Sequence, residues 1–216
     1  MKEQRIPIAR EGIPFILFAG FATLCCAVLS YDGPALVMLA LTALVLYFFR
    51  DPDRVVPDDA DALVSPADGK VILVEKVFDD RYVKEHVYKI SIFMNIFDVH
   101  VNRAPCQGTV TGFAYRSGRF FSADTDRAGS ENENCALYLE NDNGLHVAVV
   151  QVAGLVAQRI VLWAEKGDLL NKGQRFGMIR FGSRVDLYLP LTVQVEVKPG
   201  QRVRAGETIL GYFTGQ

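Results

Sequence analysis

The residue pair with the clearest chemical potential is Gly182-Ser183, which lies between two β-prone runs, 176–181 and 185–189. Glycine lacks a Cβ, so its peptide can adopt a strained conformation and its carbonyl can be approached closely. The hydroxyl of Ser183 follows directly, and the two residues together could perform an intramolecular N→O acyl shift. Glycine-serine pairs are more often tight turns or β-bulges. The reactive interpretation therefore depends on what else the chain contains.

Two further residues could supply acid–base chemistry. Asp68 lies in a turn that enters a strand, and His100 ends an apolar strand within a polar cluster. A pKa near neutrality suits histidine to the role of general acid or base. Each residue also has an ordinary structural explanation, the aspartate as a turn former and the histidine as a hydrogen-bonded polar group. His86 and His146 begin strands with no acid or nucleophile beside them, and we assign them no role.

The composition limits the class of protein. A length of 216 residues fits one domain, or one domain with an appendage. The net charge of −2 and the lack of a large lysine or arginine block argue against nucleic-acid binding. The four cysteines, Cys25, Cys26, Cys106 and Cys135, have neither a disulfide-framework nor a zinc spacing. We therefore expect a reducing, cytosolic environment and no metal site.

Two uncharged apolar runs, 13–31 and 34–49, flank the turn pair Asp32-Gly33. As helices they would be about 28 Å and about 24 Å long, against a bilayer core of about 30 Å. We expect a membrane-associated helical hairpin over 1–54 that spans the bilayer or dips into it, in preference to a signal peptide or a buried soluble hairpin. Basic residues lie at both ends of the hairpin: Lys2, Arg5, Arg10, Arg50 and Arg54. They predict that both ends, and the domain that follows, lie on the cytoplasmic side of the cell (inner) membrane.

From residue 55 to residue 216 the sequence is typical of a β-rich domain. Short β-branched and aromatic runs alternate with turn residues, which predicts a mainly β fold, a flattened barrel or sandwich. A glycine pattern in 165–177 recurs in 198–211. These copies resemble the lipoyl-type barrel, in which glycines supply positive φ at hairpin turns. The long polar stretch 116–134 is expected to be a loop beside a site.

Four segments taken together resemble the phosphatidylserine decarboxylase proenzymes, in their short bacterial form. They are SPADG at 65–69, FMNIFDVHVNR at 93–103, SENEN at 130–134 and RFGSR at 180–184. Each motif is weak alone, but their combination and order are specific. The resemblance covers nearly the whole chain, including the hairpin.

This resemblance implies that the chain cuts itself between Gly182 and Ser183. The products would be a large chain, 1–182, and a small chain, 183–216, which stay together as a heterodimer. Ser183 would become a covalent pyruvoyl group, the pyruvate cofactor of the family. His100, oriented by Asp68, would be the base that activates the Ser183 hydroxyl.

The resemblance also implies a carboxy-lyase of phospholipid biosynthesis, which converts phosphatidylserine in the membrane to phosphatidylethanolamine and carbon dioxide. The ketone at position 183 would form a Schiff base with the substrate amine and accept the electron pair left by carbon dioxide. His100 is the expected proton donor, and Arg103, Arg119 and Arg184 are candidates for binding phosphate or carboxylate. Longer family members carry a second histidine where this chain has Arg103. Either His100 serves both steps, or Arg103 shares the second.

Two other functions remain open at this stage. A membrane-anchored adaptor with a lipoyl-like barrel would explain the hairpin and the glycine repeat, but not the combination of Asp68, His100 and Gly182-Ser183. A pyruvoyl decarboxylase of a soluble amino acid would explain that combination, but not the hairpin. Self-cleavage separates the adaptor from both enzymes, and the substrate separates the two enzymes from each other.

Overall fold

The computed structural model describes residues 7–155, 159–180 and 183–214, except the side chain of Asp126. The chain divides into two compact units, Met1–Asp53 and Arg54–Gln216. The first unit is helical, and the second is built mainly from strands.

The first unit is a pair of packed helices. A 3₁₀ turn, Arg10–Gly12, leads into α1 (Ile13–Val28), and α2 follows at Asp32–Phe48. The pair is closed at its base by a backbone hydrogen bond of 2.8 Å from the amide of Ala9 to the carbonyl of Phe49. Midway along the helices, the hydroxyls of Thr23 and Thr42 lie 3.0 Å apart. These contacts hold the two helices side by side.

Much of the surface of these helices is apolar and exposed. The exposed side chains include Leu17, Phe18, Phe21, Leu24, Leu36 and Val37. The segment Arg10–Val28 has a mean hydropathy of 1.8 and is long and apolar enough to cross a membrane, whereas Asp32–Phe48 is shorter. A contiguous apolar surface of this kind is costly to expose to water. The helical unit therefore suits contact with lipid.

The second unit contains antiparallel strands and a short helix. In chain order they are β1 (Ala62–Val64), β2 (Gly69–Phe78), β3 (His86–Met94), β4 (Val101–Arg103), β5 (Gly108–Arg116), α3 (Asp126–Glu131), β6 (Asn134–Glu140), β7 (His146–Ala153), β8 (Ile160–Leu162), β9 (Leu169–Leu170), β10 (Arg175–Ile179), β11 (Ser183–Pro190), β12 (Val193–Val195), β13 (Arg202–Val203) and β14 (Ile209–Phe213). An eight-stranded sheet has the order β13-β2-β3-β11-β7-β6-β5-β9, and two three-stranded sheets have the orders β1-β14-β12 and β4-β10-β8. The prediction of a mainly β fold is confirmed.

Strand β11 lies near the middle of the eight-stranded sheet. It pairs with β3 on one side and with β7 on the other, over most of its length. Because side chains alternate across a strand, Val185, Leu187 and Leu189 enter the main core, while Tyr188 packs into a smaller cluster on the opposite face. A residue at the start of β11 is therefore fixed by two neighbouring strands at once.

The three-stranded sheets belong to two copies of one strand-and-turn unit, a smaller repeat within the second compact unit. The first copy consists of 62–71 with 193–213, and the second copy consists of 101–110 with 160–179. Leu63 lies opposite Gly211 in the first copy, and Asn102 lies opposite Gly177 in the second. The third strand adds Val195 beside Gly211 in one copy and Leu162 beside Gly177 in the other. The two sheets thus share their pairing as well as their strand order.

The glycine turns of the two copies also match. Gly200 and Gly167 have φ values of 95° and 94°, and Gly206 and Gly173 both have 75°. The amide of Gly206 donates to Ser65 O at 2.8 Å, and that of Gly173 donates to Ala104 O at the same distance. The predicted positive φ is confirmed at these four glycines, whereas Gly177 and Gly211, the remaining two of the pattern, lie within β10 and β14 and do not have positive φ. The repeat is wider than the sequence indicated, because 62–71 and 101–110 belong to it too.

Candidate active site

Ser183 is the first residue of β11 and is completely buried. Its Cα partners in the sheet are Met94, the last residue of β3, and Ala153, the last residue of β7. The Ser183 hydroxyl lies 4.0 Å from the sulfur of Met94. Gly182, the other residue of the predicted cleavage site, lies outside the described residues. Two strand ends therefore enclose the serine that the sequence singled out.

His100 is also completely buried and has a defined orientation. Its Nδ1 lies 2.9 Å from the main-chain oxygen of Asp98. A carbonyl oxygen can only accept a hydrogen bond, so Nδ1 carries the proton and Nε2 is the basic nitrogen of the neutral ring. The carbonyl of His100 accepts from the amide of Ile179 at 3.3 Å. This bond ties His100 to the end of β10, the strand that precedes the Gly182-Ser183 pair.

Two buried amides join the histidine segment to the serine. Asn102, two residues after His100, accepts a hydrogen bond of 2.8 Å at Oδ1 from Nε2 of Gln151. The Nδ2 of Asn102 lies 3.8 Å from the Met94 sulfur, the same atom that contacts Ser183. Within the described part of the chain, Oε1 of Gln151 is buried and has no hydrogen-bond partner. An orphaned buried acceptor is costly, and it marks a position where a donor is expected.

Asp68 lies in the turn before β2, with its carboxylate held by two donors. Oδ2 pairs with Nη2 of Arg54 at 2.7 Å, and Oδ1 accepts from the amide of Ala205 at 2.7 Å. Nη1 of Arg54 lies 3.3 Å from a carboxylate oxygen of Glu207. The turn that carries Asp68 contacts the histidine segment through its backbone, because the amide of Arg103 donates to Pro66 O at 2.9 Å. Orientation of His100 by Asp68 stays a prediction.

The three predicted arginines occupy different environments. Arg103 is buried, and its Nη1 donates to Gly173 O at 3.1 Å. The side chain of Arg119 is 72% exposed and pairs with Glu131 at 3.6 Å. Arg184 lies on the face of β11 opposite Ser183, because successive side chains alternate. Of the three, Arg119 is the one whose guanidinium faces solvent.

Arg184 is part of a buried charge cluster. Its Nε lies 2.8 Å from Oδ1 of Asp186, and its Nη1 donates to Ala123 O at 3.2 Å and Thr125 O at 3.1 Å. Burial, and secondarily the Asp186 carboxylate, raise the pKa of the neighbouring Tyr82 to about 12. These contacts make Arg184 a bridge between β11 and the segment before α3.

Sequence reasoning missed the roles of Asn132 and Gln151. The Asn132 amide accepts from Phe121 N at 2.8 Å and donates to Ala153 O at 2.7 Å, so it ties the 119–132 segment to a strand neighbour of Ser183. Gln151 is a polar residue within the apolar run of β7, VAVVQVA. A polar residue inside an otherwise apolar strand was the available signal, since buried polar groups need partners. Among the described residues, no three His, Cys, Asp or Glu side chains group as a metal site requires.

Comparison with known proteins gives a consistent result. The family model described as phosphatidylserine decarboxylase matches residues 41–211. The chain is 52% identical over 211 residues to the phosphatidylserine decarboxylase proenzyme of Desulfotalea psychrophila, covering 98% of this chain and 99% of that protein. It is 47% identical over 213 residues to the proenzyme of the same name from Syntrophotalea carbinolica, covering 99% and 100%. The corresponding protein of Geobacter sulfurreducens is 48% identical over 216 residues, with coverage of 98% and 99%.

Proposed function

Because this chain belongs to the phosphatidylserine decarboxylase family, we propose that it converts phosphatidylserine to phosphatidylethanolamine and carbon dioxide after cutting itself at Gly182-Ser183. The observation that carries the proposal is the buried start of β11, where the Ser183 hydroxyl lies 4.0 Å from the Met94 sulfur, and that sulfur also contacts Asn102, two residues after His100. A serine with no exposure to water is poorly placed to serve as a surface turn.

Self-cleavage begins with the Ser183 hydroxyl. Its Oγ attacks the Gly182 carbonyl carbon, the C–N bond breaks, and the acyl group moves from nitrogen to oxygen as an ester. Removal of the proton on Cα of residue 183 then expels the ester oxygen, so the large chain leaves with a carboxylate at Gly182. The dehydroalanine that remains takes up one water and loses ammonia, which leaves the pyruvoyl group at the start of the small chain.

His100 is the base in this scheme. With Nδ1 donating to Asp98 O, Nε2 is the basic ring nitrogen that would take the Ser183 hydroxyl proton. The main-chain carbonyl plays the orienting part that a carboxylate plays in other nucleophile–base pairs. Asp68 acts one step further out, by fixing the 65–69 turn against which the histidine segment packs.

The described residues fit a small keto group at position 183. When formed, this group supplies an electron sink for the pair released with carbon dioxide. Oε1 of Gln151, a buried acceptor without a partner among the described residues, would accept a hydrogen bond from the substrate's amine. Met94 and Asn102, both completely buried, would help to exclude water from this position, which favours loss of the carboxylate charge. His100 Nε2 would return a proton to the substrate carbon.

The phosphate of the substrate needs an accessible cation. Arg119 has an exposed guanidinium that can offer two parallel donors to a phosphate. Arg103 and Arg184 are both buried and hydrogen-bonded to main-chain oxygens. We therefore propose that Arg119 binds the phosphate. Arg103 instead stabilises the turn at Gly173, and Arg184 holds the 123–125 segment against β11.

The helical unit would anchor the enzyme in the cell membrane, with the 54–216 unit on the cytoplasmic side. The basic residues that flank the helices support this orientation. After cleavage, the small chain, 183–216, would stay bound to the large chain, because β11 pairs with both β3 and β7. The mature protein is thus a heterodimer of two products of one chain.

Mass spectrometry of the protein purified from membranes tests the proposal. We expect two chains, with the small one beginning with a pyruvoyl group in place of Ser183. Ser183→Ala should leave one intact, inactive chain. Ser91→Ala is the matched control, because Ser91 is buried in β3 of the same sheet and pairs with Asp186 of β11. A wild-type protein that stays intact with serine at 183 would refute the proposal and favour a membrane-anchored adaptor.

Labelled substrates test the specificity. Carboxyl-labelled phosphatidylserine in vesicles should release labelled carbon dioxide, and free labelled serine should not. Release from free serine alone, by a protein that is correctly cleaved, would instead identify a decarboxylase of a soluble amino acid.

A further inference from the structure

The turn after β3 holds two apolar side chains out of the core. The amide of Asn95 donates to Oδ2 of Asp98 at 2.9 Å, and Oδ1 of Asn95 accepts from the amide of Phe97 at 2.8 Å. These bonds fix the turn, with Ile96 45% exposed and Phe97 59% exposed at its tip. Turn tips usually carry polar or glycine residues. A rigid turn that presents isoleucine and phenylalanine to solvent points to an apolar partner.

A third exposed apolar residue lies on the other side of Ser183. Leu155 is 65% exposed and follows Ala153, the sheet partner of Ser183 in β7. The Ile96-Phe97 turn follows Met94, the sheet partner of Ser183 in β3. We call the end of the eight-stranded sheet at Met94, Ser183 and Ala153 the site edge. The exposed apolar residues therefore flank the candidate active site on both sides.

Basic residues lie along the same end of the sheet. Lys70 and Arg202 pair with each other at the ends of β2 and β13, and Arg116 ends β5. All three are exposed, and Arg202 also binds Asp98 of the apolar turn at 3.1 Å. Arg119 and Arg159 are exposed too, although Arg119 shares Glu131 with Arg127. The 117–133 segment at this end also carries Asp124, Asp126, Glu131 and Glu133. With Arg127 and Asp98 included, the site edge has six basic residues and five acidic ones, so it combines apolar tips with a slight excess of positive charge.

The opposite end of the sheet has a different charge. It is marked by Phe78 opposite His86, and its turns are 79–85 and 140–146. Those turns contain five acidic residues and two basic ones, namely Asp79, Asp80, Glu85, Glu140 and Asp142 against Arg81 and Lys84. We call it the far edge. The far edge, with its excess of acidic residues, would repel an anionic surface, whereas the site edge would not.

We propose that the site edge docks onto an anionic phospholipid bilayer, with Ile96, Phe97 and Leu155 among the acyl chains and the basic residues at the headgroups. Apolar side chains flanked by lysine and arginine are the usual means of binding a lipid interface. Ser183 begins β11 at this edge, so docking here would bring the candidate site close to the lipid substrate. In this respect the inference rests on the proposed lipid substrate, but the docking itself does not require catalysis.

Tryptophan quenching in the full-length protein tests the docking. Trp163 is the only tryptophan of the chain, so Phe97→Trp and Phe78→Trp would each be made on a Trp163→Phe background. Phe97 and Phe78 are both 59% exposed, at opposite edges of one sheet, which makes the pair matched. In vesicles of phosphatidylglycerol and brominated phosphatidylcholine, we expect strong quenching and a blue-shifted emission for Phe97→Trp only.

Equal quenching of the two variants, or none for either, would overturn the proposal. A blue shift of the Phe97→Trp emission without vesicles, which grows with protein concentration, would indicate contact with a second copy of the chain. That result would also overturn the proposal. The same measurement in the uncut Ser183→Ala chain needs no enzymatic activity. Failure of the docking and failure of the proposed decarboxylation are therefore read separately.

Kinetics give a second measurement. We expect Phe97→Ser to lower the ratio of the rate on vesicle phosphatidylserine to the rate on a monomeric short-chain analogue by about tenfold, as suits the loss of one inserted aromatic side chain. Phe78→Ser should leave this ratio unchanged. An unchanged ratio in Phe97→Ser would count against insertion of the turn.

Discussion

The two copies of the strand-and-turn unit have the same backbone and differ in a few side chains. Asp68 precedes Gly69 in the first copy, and Gln107 precedes Gly108 at the matching place in the second. The Asp68 carboxylate is mostly buried and binds Arg54 and Ala205, whereas Gln107 is exposed and binds Asp142. One backbone thus supports an ionic junction in one copy and an ordinary surface contact in the other.

In the three-stranded sheets it is the second copy that has the polar residue. The first copy has Leu63 where the second has Asn102, and both side chains are completely buried. Leu63 packs in the main core, while Asn102 bonds to Gln151 beside the candidate site. The first copy therefore contributes the charged turn, and the second contributes the buried amide. The repeat supplies a scaffold, and the chemistry comes from where its symmetry is broken.

The largest effect should come from removing the charged turn residue. Asp68→Ala removes the carboxylate that pairs with the Arg54 guanidinium at 2.7 Å, and with it the acceptor of the Ala205 amide. Loss of one partner of a buried ion pair costs about 3 kcal/mol, and we expect the chain to remain largely uncut. Gln107→Ala should cost less than about 0.5 kcal/mol and leave cleavage normal.

Denaturant unfolding and a denaturing gel check both quantities. Asp68→Asn, which keeps an acceptor for Ala205 but loses the charge, separates the hydrogen bond from the ion pair. Equal effects of Asp68→Ala and Gln107→Ala would mean that the two turns are equivalent after all.

Giving the second copy the residue of the first should have the next largest effect. Asn102→Leu removes the acceptor of Gln151 Nε2 and leaves that buried donor unpaired, at a cost of about 2 kcal/mol. We expect cleavage to slow about tenfold, as measured by the half-time of processing in freshly translated protein. The reverse change, Leu63→Asn, should destabilise the fold without slowing cleavage of the molecules that do fold. Fast processing of Asn102→Leu would remove this amide from the site.

Substitutions at matched glycines test the shared backbone. Gly200 and Gly167 have φ values of 95° and 94°, and a Cβ at either position would contact nothing within 4 Å. Gly200→Ala and Gly167→Ala should therefore cost the same backbone strain, about 1–2 kcal/mol each. Chemical denaturation of the two variants under identical conditions gives the comparison. A difference of more than about 1 kcal/mol between them would show that the turns differ energetically.

The smallest effect concerns Cys106, which takes the place of Ala67 in the first copy. Burial raises the pKa of its thiol to about 12, whereas a thiol in the unfolded chain ionises near about 8.5. The unfolded state therefore loses its proton first, and stability falls as pH rises above about 8.5 toward 12. Cys106→Ala should cost about 1 kcal/mol at pH 7 and weaken this pH dependence. Unfolding curves at pH 7 and pH 10 measure both, and alkylation of native Cys106 at pH 8 as fast as of denatured protein would contradict the burial.

Local patterns were sufficient to predict the class of fold. Strands appear as β-branched and aromatic runs between turn residues, and the glycines at 167, 173, 200 and 206 mark the turns that need positive φ. The matching of 62–71 with 101–110 was not predictable in the same way. There the repeat is conveyed by hydrogen bonds to main-chain atoms of Ser65 and Ala104, which place no demand on the side chain.

The candidate site could be predicted only in part for the same reason. Ser183, His100 and Asp68 stood out by residue type, and resemblance to a family linked them. His100 is oriented in part by the main-chain carbonyl of Asp98, and every residue has a carbonyl. The pairing of Asn102 with Gln151 joins segments distant in sequence, so it depends on sheet register. Contacts of this kind become visible only when the chain is folded.

The position of β11 between β3 and β7 has a consequence for how the protein folds and refolds. While the polypeptide is continuous, β11 is inserted between its neighbours as part of one folding reaction. If the chain is cut at the first residue of β11, as proposed, denaturation would release two separate molecules, and renaturation would become a bimolecular event that depends on concentration. The mature enzyme would then retain its shape through a kinetic barrier and not through a reversible equilibrium. The covalent link that guides β11 between its neighbours would then be available only in the uncut chain, and cleavage would remove it.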